Sequence, residues 1–310
     1  MAANQCNSGG LIVLDWGTTN VRLALLNIDG SIVEERRGES GVGTFSHDEF
    51  EAHFDRLTGG WPQVPAIAAG MVGSRQGWRE AQYLACPAST NDLVQGLQHF
   101  CHDGRPITIV PGLTLNDGQR FDVMRGEESQ IAGFLTQQPH YSGTLLMPGT
   151  HSKWVRIVDG TVVSFQTYMT GEMFEALSEH TILRHSLSKP SNDTDRFLAK
   201  VAQLSDEPSS FEGALFGLRA RHLLTNSDAT ELHQELSALL ILSELKAGLK
   251  DGFSLHDEVI LIGSEGLTGL YQGALKAMNI NATCIRGTGL VWPALFDLAC
   301  KSNLITGTRA

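Results

Sequence analysis

One pattern occurs twice in this chain and constrains its fold more than any other feature. Each copy reads as an apolar strand, a Gly-Thr turn, a second strand, an Asp-Gly turn and a third strand, and the copies cover residues 11–33 and 145–163. Asp-Gly between apolar runs is a common hairpin turn, so one copy alone would predict only a hairpin. Because the two copies open two halves of similar length, we predict a duplicated fold that binds a polyphosphate from both sides.

The Gly-Thr turns carry the donors that a phosphate group needs. Glycine lets the backbone turn sharply so that successive N–H groups converge on one anion, and hydroxyl, amide and ammonium side chains add donors. The predicted phosphate-binding residues are Gly17, Thr18, Thr19 and Asn20 in the first turn, and Gly149, Thr150, His151, Ser152 and Lys153 in the second. For His151 and Lys153, ordinary surface positions are the alternative. The glycine patterns of P-loops and of dinucleotide-binding folds do not occur in the sequence.

Asp15 lies at the end of the apolar segment before the first turn. Mg²⁺ is usually bound by one or two carboxylates together with water and phosphate oxygens. Asp15 is therefore a candidate magnesium ligand, while capping of its own turn is the alternative role.

Charge and composition exclude several classes of protein. The net charge of -11 argues against a surface for nucleic acid, which would be basic. The sequence has no apolar run of the roughly 20 residues that a membrane helix needs, and residues 1–10 lack the pattern of a signal peptide and are expected to form a loose tail. The five cysteines are scattered without Cys-x-x-Cys spacing, so we expect no disulfide framework, no zinc site and a cytoplasmic location.

Strand-like and helix-like segments alternate along the chain, which predicts an α/β protein with mixed sheets. A turn-rich stretch covers 111–118, and a domain boundary is expected near Tyr141. The predicted strands are 66–72, 107–110 and 257–262, and the predicted helices are 127–135, 172–183, 228–249 and 291–298.

Four segments together resemble a known family. They are Gly70–Trp78, Met124–Gly133, Pro148–Trp154 and Ile262–Leu267, and they resemble the 2-dehydro-3-deoxygalactonokinases, within the superfamily of sugar kinases, actin and heat-shock ATPases. The resemblance implies two ribonuclease H-like, actin-like domains with an ATP cleft between them. The N-terminal domain, residues 1–140, would carry the first phosphate turn and the sugar-acid site. The C-terminal domain, residues 141–310, would carry the second phosphate turn and the adenosine site.

The same resemblance implies a reaction. The enzyme would use ATP and Mg²⁺ to phosphorylate the terminal 6-hydroxyl of 2-dehydro-3-deoxy-D-galactonate, in galactonate catabolism. The segment from Gly126 is similar to the Gly-Asp-Gln segment of glycerol and pentulose kinases, in which the carboxylate after the glycine is the base. That role falls on Glu127, with Glu128 in reserve, although two glutamates in a first helical turn also complement the helix dipole.

The resemblance also implies the residues that bind adenosine and the acceptor. Gly263, Ser264 and Glu265 match the adenosine motif of the superfamily, with Gly287 beside them, and a plain strand-to-helix turn is the alternative. The sugar acid would contact Met71, Ser74, Arg75, Trp78 and Glu172.

Other functions remain open on the sequence alone. They are a kinase for another sugar or sugar acid, such as 2-dehydro-3-deoxygluconate or a pentulose, a non-kinase actin-like ATPase, and an inactive sugar-binding regulator. The expected partners are ATP and a small sugar acid, without nucleic acid or membrane. A homodimer is compatible with the sequence, which leaves the oligomeric state undetermined.

Overall fold

The structure is a computed structural model that describes residues 10–188, 193–205, 211–253 and 259–305. Cys6 and all but the last residue of the predicted N-terminal tail lie outside the described residues, and so do residues 257 and 258 of one predicted strand.

The strands and helices are numbered in chain order. The strands are β1 Gly10–Trp16, β2 Val21–Asn27, β3 Ile32–Gly38, β4 Ala66–Ala69, β5 Tyr83–Ala85, β6 Gln98–His102, β7 Arg105–Ile109, β8 Gly112–Asn116, β9 Phe121–Met124, β10 Gly143–Met147, β11 Ser152–Val158, β12 Thr161–Tyr168, β13 Val259–Gly263 and β14 Ala282–Arg286. The helices are α1 Phe50–Thr58, α2 Thr90–Gln95, α3 Glu127–Gln137, α4 Thr170–His180, α5 Thr194–Leu204, α6 Phe211–Thr225, α7 Ala229–Lys250, α8 Glu265–Ala277 and α9 Thr288–Lys301.

The chain divides into two compact units. Unit 1 comprises residues 1–141, 158–164 and 288–310, and unit 2 comprises residues 142–157 and 165–287. Unit 1 therefore includes two segments from the second half of the sequence, 158–164 and 288–310. The predicted domain ranges, 1–140 and 141–310, assigned both segments to the second domain.

The repeated pattern forms the same arrangement in both main sheets. One sheet has the strand order β3-β2-β1-β4-β7-β6 and the other β12-β11-β10-β13-β14. In each, the hairpin partner is antiparallel, whereas the next neighbour, β4 beside β1 and β13 beside β10, is parallel. The prediction of an α/β fold with mixed sheets and a repeated hairpin is confirmed.

Unit 1 has an aromatic core behind its main sheet. Trp16 and Phe50 are fully buried, with ring centroids 5.4 Å apart. The C-terminal helix α9 packs on α3, where a Cβ at Gly133 would lie 2.0 Å from the carbonyl oxygen of Leu290. Only glycine allows this approach, and it holds α9 in unit 1 although that helix is distant in sequence.

Unit 2 has its core between its sheet and the long helix α7. Trp154 and Leu236 are fully buried. A Cβ at Gly248 would lie 2.5 Å from the ring of Trp154, so α7 approaches β11 closely at this position. The amphipathic segments α5 and α8 pack near α7 and complete this core.

Most predicted elements are confirmed, with two corrections. The four predicted helices correspond to α3, α4, α7 and α9, and the predicted strand at 107–110 corresponds to β7. The strand predicted over 66–72 ends at Ala69, because Gly70 has a φ of 94° and opens a 3-10 turn. The stretch 111–118 was predicted as turns, and this is wrong, since it contains β8, which pairs with β5 and β9 in a small third sheet.

Among the residues that the structure describes, no helix combines the length and apolar character needed to cross a membrane.

Candidate functional site

The first Gly-Thr turn is held against the segment that follows β3. The N–H of Gly17 donates to the carbonyl of Asn20 at 2.9 Å, which closes the turn between β1 and β2. The carbonyl groups of Gly17, Thr18 and Thr19 accept bonds of 2.9–3.0 Å from residues 41–43. The side chains of Thr18, Thr19 and Asn20 are exposed, so a hydroxyl- and amide-rich surface is presented by a fixed backbone.

An open cavity of about 670 Å³ lies beside this turn. Its polar lining includes Thr19 and Asn20 from the turn and two guanidinium groups from the sheet, Arg22 and Arg37, with Thr288 at the start of α9. Neither arginine was predicted from the sequence as a site residue. Arg22 carried a signal, because a cation in the strand after a phosphate turn is placed to meet an anion.

Asp15 lies on the wall of this cavity and is already paired. In the β1–β2 register it is directly opposite Arg22, and its carboxylate accepts a hydrogen bond from that guanidinium. The two side chains are 24% and 23% exposed, so the pair is within reach of solvent. The partner of Asp15 is therefore a cation from the neighbouring strand.

Two glycines bring the start of α3 to the same edge of the sheet as Asp15. Since β1 and β4 are parallel, their carboxyl ends lie side by side. A Cβ at Gly70 would lie 2.8 Å from the carbonyl oxygen of Trp16 and 3.5 Å from Oδ1 of Asp15. A Cβ at Gly126 would lie 3.5 Å from the Cα of Gly70. The residue after Gly126, Glu127, is thus brought to the Asp15 edge of unit 1.

The two glutamates at the start of α3 have different environments. Glu127 is half-buried, whereas Glu128 is 1% exposed and accepts a 2.7 Å hydrogen bond from the N–H of Gly126. Burial, with a smaller effect from the charge of Glu127, raises the pKa of Glu128 to about 8. Glu128 is therefore an uncharged, enclosed carboxyl group at neutral pH, and Glu127 is the glutamate that a ligand can reach.

The four predicted acceptor residues of unit 1 differ in their exposure. Arg75 has a side chain that is 83% exposed, and its Nε lies 3.3 Å from Glu80. Ser74 is buried, and its Oγ has no hydrogen-bond partner within the described residues. Trp78 is 4% exposed and packs with its ring centroid 5.1 Å from Phe54 and 5.0 Å from Phe100. A ligand that contacted Trp78 would have to displace core side chains. Met71, in the 3-10 turn that follows β4, is partly buried and packs against the same core.

The second Gly-Thr turn lies against the first turn of α4. A Cβ at Gly171 would lie 2.5 Å from the carbonyl oxygen of Gly149, and the N–H of Glu172 donates to the carbonyl of Thr150 at 3.0 Å. Nε2 of His151 lies 2.5 Å from Oε2 of Glu172. Glu172, predicted as an acceptor residue, is thus part of the surroundings of the second turn.

The donors of the second turn point in two directions. Thr150 and His151 are exposed, whereas Ser152 is fully buried and Lys153 is 4% exposed. The hydroxyl of Ser152 lies 3.2 Å from that of Tyr271, on the inner side of β11. The exposed donors of this turn are therefore those of Thr150 and His151.

A mainly apolar cavity of about 240 Å³ begins at Gly149 and continues between α7 and α8. Its lining includes Phe174 of α4, His233 and Leu240 of α7, and Leu267 and Tyr271 of α8. Burial lowers the pKa of His233, so its imidazole is neutral at neutral pH. These cavity residues were missed by the sequence analysis, because nothing in their spacing separates a cavity wall from a core face.

The predicted adenosine residues surround the start of α8. Ser264 precedes the helix, the N–H of Gly287 donates to the carbonyl of Gly263 at 3.1 Å, and Glu265 pairs with Arg286 at 2.7 Å. Gly263 and Gly287 are thus brought together by β13 and β14, while Leu267, in the first turn of the same helix, lines the cavity.

Comparison with known proteins places these features in a family. The sequence profile of the 2-keto-3-deoxy-galactonokinase family matches residues 15–298. A protein of Rhizobium meliloti (strain 1021), named as a probable 2-dehydro-3-deoxygalactonokinase, is 36% identical over 309 residues, which cover 98% of each chain. The 2-dehydro-3-deoxygalactonokinase of Escherichia coli (strain K12) is 34% identical over 278 residues, with 89% of this chain and 92% of that protein covered.

Solved structures agree with the sequence comparison. A crystal structure of a candidate 2-dehydro-3-deoxygalactonokinase from Sinorhizobium meliloti superposes with a TM-score of 0.85 at 34% identity, over 94% of this chain and 98% of that one. The activator of the 2-hydroxyisocaproyl-CoA dehydratase from Clostridium difficile, with bound ADPNP, gives a TM-score of 0.51 at 13% identity, over 97% of this chain and all (100%) of that one. The second similarity shows a shared fold alone.

Proposed function

Because the chain belongs to the 2-keto-3-deoxy-galactonokinase family, we propose that it transfers the γ-phosphoryl group of ATP to the 6-hydroxyl of 2-dehydro-3-deoxy-D-galactonate, giving ADP and the 6-phosphate. The observation that carries this function is the identity of 34–36% with proteins named for that activity over at least 89% of the chain. The exposed donors of the polar turns in both units support this proposal.

Each unit is proposed to contain a ribonuclease H-like domain of the actin-like ATPases. The support is the repeated strand order, in which a three-stranded antiparallel meander is followed by a parallel neighbour of its first strand. Ligands of sheets with parallel strands usually bind at the carboxyl ends of those strands. Asp15 and the second turn both lie at such ends.

The turn in each unit is proposed to bind phosphate groups of ATP. In unit 1, the hydroxyls of Thr18 and Thr19 and the amide of Asn20 are exposed donors, and Arg22 and Arg37 add positive charge beside them. In unit 2, the donors are the backbone at Gly149 and the exposed side chains of Thr150 and His151. Phosphoryl transfer is accelerated mainly by such positioning and charge stabilisation.

Asp15 is the proposed ligand of Mg²⁺, directly or through water. Its carboxylate is partly exposed on the wall of an open cavity next to a phosphate turn, and hard oxygen donors of this kind suit Mg²⁺. When bound, Mg²⁺ would offset the negative charge of the triphosphate. Arg22, which holds the carboxylate at one oxygen, fixes its orientation toward the cavity.

Glu127 is the proposed general base. It would accept the proton of the 6-hydroxyl as that oxygen attacks the γ-phosphorus in line with the leaving ADP oxygen. Its support is its position after Gly126 at the edge that carries Asp15, together with the enclosure of the neighbouring Glu128. The acceptor carboxylate is assigned to Arg75, since this residue is an exposed guanidinium in the loop after β4.

The apolar cavity of unit 2 is the proposed site of the adenine ring. Its aliphatic and aromatic walls suit a flat heterocycle, and it begins at Gly149 of the second turn, so that base and phosphate groups have neighbouring sites in the same unit. Gly263, Ser264, Glu265 and Gly287 would contact the ribose from the start of α8.

The test is a coupled ADP-release assay with Mg²⁺ and a panel of acceptors. The panel contains 2-dehydro-3-deoxygalactonate, 2-dehydro-3-deoxygluconate, a pentulose and no acceptor. The proposal expects the highest kcat/KM with the galactonate derivative and a 6-phosphate as the product identified by NMR. Preference for another acceptor would reject the substrate assignment, and equal ADP release without any acceptor would point to an ATPase instead.

A further inference from the structure

A buried carboxyl group in unit 2 is not used by the proposed reaction. Glu244, in the middle of α7, is 3% exposed. Its Oε1 accepts a 2.8 Å hydrogen bond from the indole N–H of Trp154, and its Oε2 accepts a 2.5 Å hydrogen bond from the hydroxyl of Tyr271. The hydroxyl groups of Thr170 and Ser152 are also close enough to lower the pKa of this carboxyl group. Its polar neighbours thus come from β11, α4 and α8.

Burying this carboxyl group and its polar neighbours costs folding free energy unless each polar atom has a hydrogen-bond partner. Burial raises the pKa of Glu244, and the hydrogen bonds from its four neighbours oppose that effect. Burial and the adjacent carboxylate raise the pKa of Tyr271 well above its usual value, so its hydroxyl keeps its proton and donates. Partly satisfied networks of this kind destabilise a core, whereas complete ones fix a single arrangement of the elements that they join.

Tyr271 connects the two ligand-binding features of unit 2. Its ring lines the apolar cavity, and its hydroxyl lies 3.2 Å from that of Ser152, the residue at the end of the second turn. Ser152 and Tyr271 are far apart in sequence but meet inside the unit. A shift of the Tyr271 hydroxyl would therefore displace both the cavity wall and the turn.

We propose that Tyr271, anchored by Glu244, is a positioning residue. Its hydroxyl keeps the second turn in a fixed position relative to the cavity, so that the phosphate groups and the base of ATP bind at the same time. This inference rests on the proposed function for the identity of the nucleotide. It assigns to Tyr271 an effect on phosphate binding although its side chain faces the interior and not the exposed surface of the turn.

The test is the Tyr271→Phe variant, measured by calorimetric titration with ATP and with adenosine. Phenylalanine keeps the ring that lines the cavity and removes only the hydroxyl. We expect ATP to bind about tenfold more weakly, the effect of losing one hydrogen bond to a charged partner. Adenosine, which has no phosphate groups, should bind within about twofold of the wild-type affinity.

Tyr168→Phe is the matched control. The hydroxyl of Tyr168 donates to Asp251 at 2.6 Å in the same unit, so the variant also loses a tyrosine–carboxylate bond. It should lower the unfolding temperature as Tyr271→Phe does, yet leave ATP affinity unchanged. The Ser152→Ala variant removes the other end of the contact, and its effect on ATP affinity should not add to that of Tyr271→Phe in the double variant.

Three results would overturn the inference: ATP affinity unchanged in Tyr271→Phe, equal losses of ATP and adenosine affinity, or the same loss of ATP affinity in Tyr168→Phe. Failure of the proposed function is a separate result. A wild-type protein that binds ATP but phosphorylates no sugar acid would reject the kinase assignment, while the binding comparison would still decide the role of Tyr271.

Discussion

His151 and Glu172 form a close side-chain pair, with Nε2 of the histidine 2.5 Å from Oε2 of the glutamate. The pair joins the second Gly-Thr turn to the first turn of α4, next to the backbone bond from Glu172 to Thr150. From the sequence, His151 was predicted to bind phosphate and Glu172 to bind the sugar acid. Their contact means that a change at either one alters the surroundings of the other.

We expect Glu172→Gln to act on ATP more than on the sugar acid. Losing an exposed side-chain contact of this kind should change the KM for ATP by about two- to fivefold, with the KM for the sugar acid unchanged. Steady-state kinetics with each substrate varied in turn measures the difference. Glu175→Gln, an exposed glutamate on the same helix, is the control and should alter neither constant. A change confined to the KM for the sugar acid would contradict this expectation and would support a contact between Glu172 and the sugar acid.

Glu127→Gln should abolish most of the turnover without removing ATP binding. Loss of a general base typically lowers the rate by a factor on the order of 10² or more, whereas glutamine has nearly the same volume and keeps the fold. Single-turnover kinetics and an ATP titration on the same preparation separate the two effects. Turnover near the wild-type value would exclude Glu127 as the base.

Glu128→Gln should remove a pH dependence of stability. The pKa of Glu128 in the folded chain, about 8, lies above its unfolded value near 4.5, so the folded state holds the proton more tightly. The stabilisation from this group is complete below pH of about 4.5 and is lost as the pH rises toward about 8. The charge of Glu127 and that of Arg125 act on the carboxyl group in opposite directions.

Urea unfolding between pH 5 and pH 9 tests this expectation. The difference in the free energy of unfolding between Glu128→Gln and the wild type should grow in favour of the variant as the pH rises, by on the order of a few kcal/mol, and then level off above about pH 8. Parallel curves for the two proteins over the whole range would show that Glu128 does not titrate in this way.

Gly149→Ala should weaken ATP binding without loss of stability. A Cβ at this position would meet nothing closer than the carbonyl oxygen of His151 at 3.8 Å, so the fold accepts the methyl group. Gly149 lies at the end of the proposed adenine cavity, so the methyl group would add bulk to the turn where a phosphate group is proposed to lie against the backbone. Gly269→Ala, in an exposed part of α8 with open space at its Cβ, is the control for titration and thermal unfolding. Equal ATP affinity in Gly149→Ala and the wild type would show that the backbone of this turn does not bind a phosphate group of ATP.

Asp15→Asn should raise the Mg²⁺ concentration needed for half-maximal activity several-fold, because the neutral amide is a weaker ligand for a hard cation. The variant also weakens the pair with Arg22, so its unfolding temperature should fall. Direct Mn²⁺ titration in the presence of ATP, followed by electron paramagnetic resonance, gives a readout independent of turnover. Asp29→Asn, an exposed aspartate in the other turn of this hairpin, is the control, and equal Mn²⁺ affinity in all three proteins would assign Asp15 to structure alone.

The hairpins and helix α7 could be predicted because their signals are local. The positive φ angles of Gly30 and Gly160, and the apolar-rich sequence that forms α7, depend on residues that are close in sequence. β8 was missed because its pairing partners, β5 and β9, had no signal of their own. The short strands of that sheet acquire their structure from pairing and not from their own composition.

The sequence by itself determined that two copies of one polar turn occur in an α/β chain and which residues form them. It could not determine which way their side chains face. Ser152 and Lys153 are buried, Trp78 is a core residue, and Glu128 is enclosed while Glu127 is accessible. Only the tertiary structure decided these points, because the exposure of a side chain depends on elements that pack on it from distant parts of the chain. Tyr271 on Ser152 and Leu290 on Gly133 are such contacts.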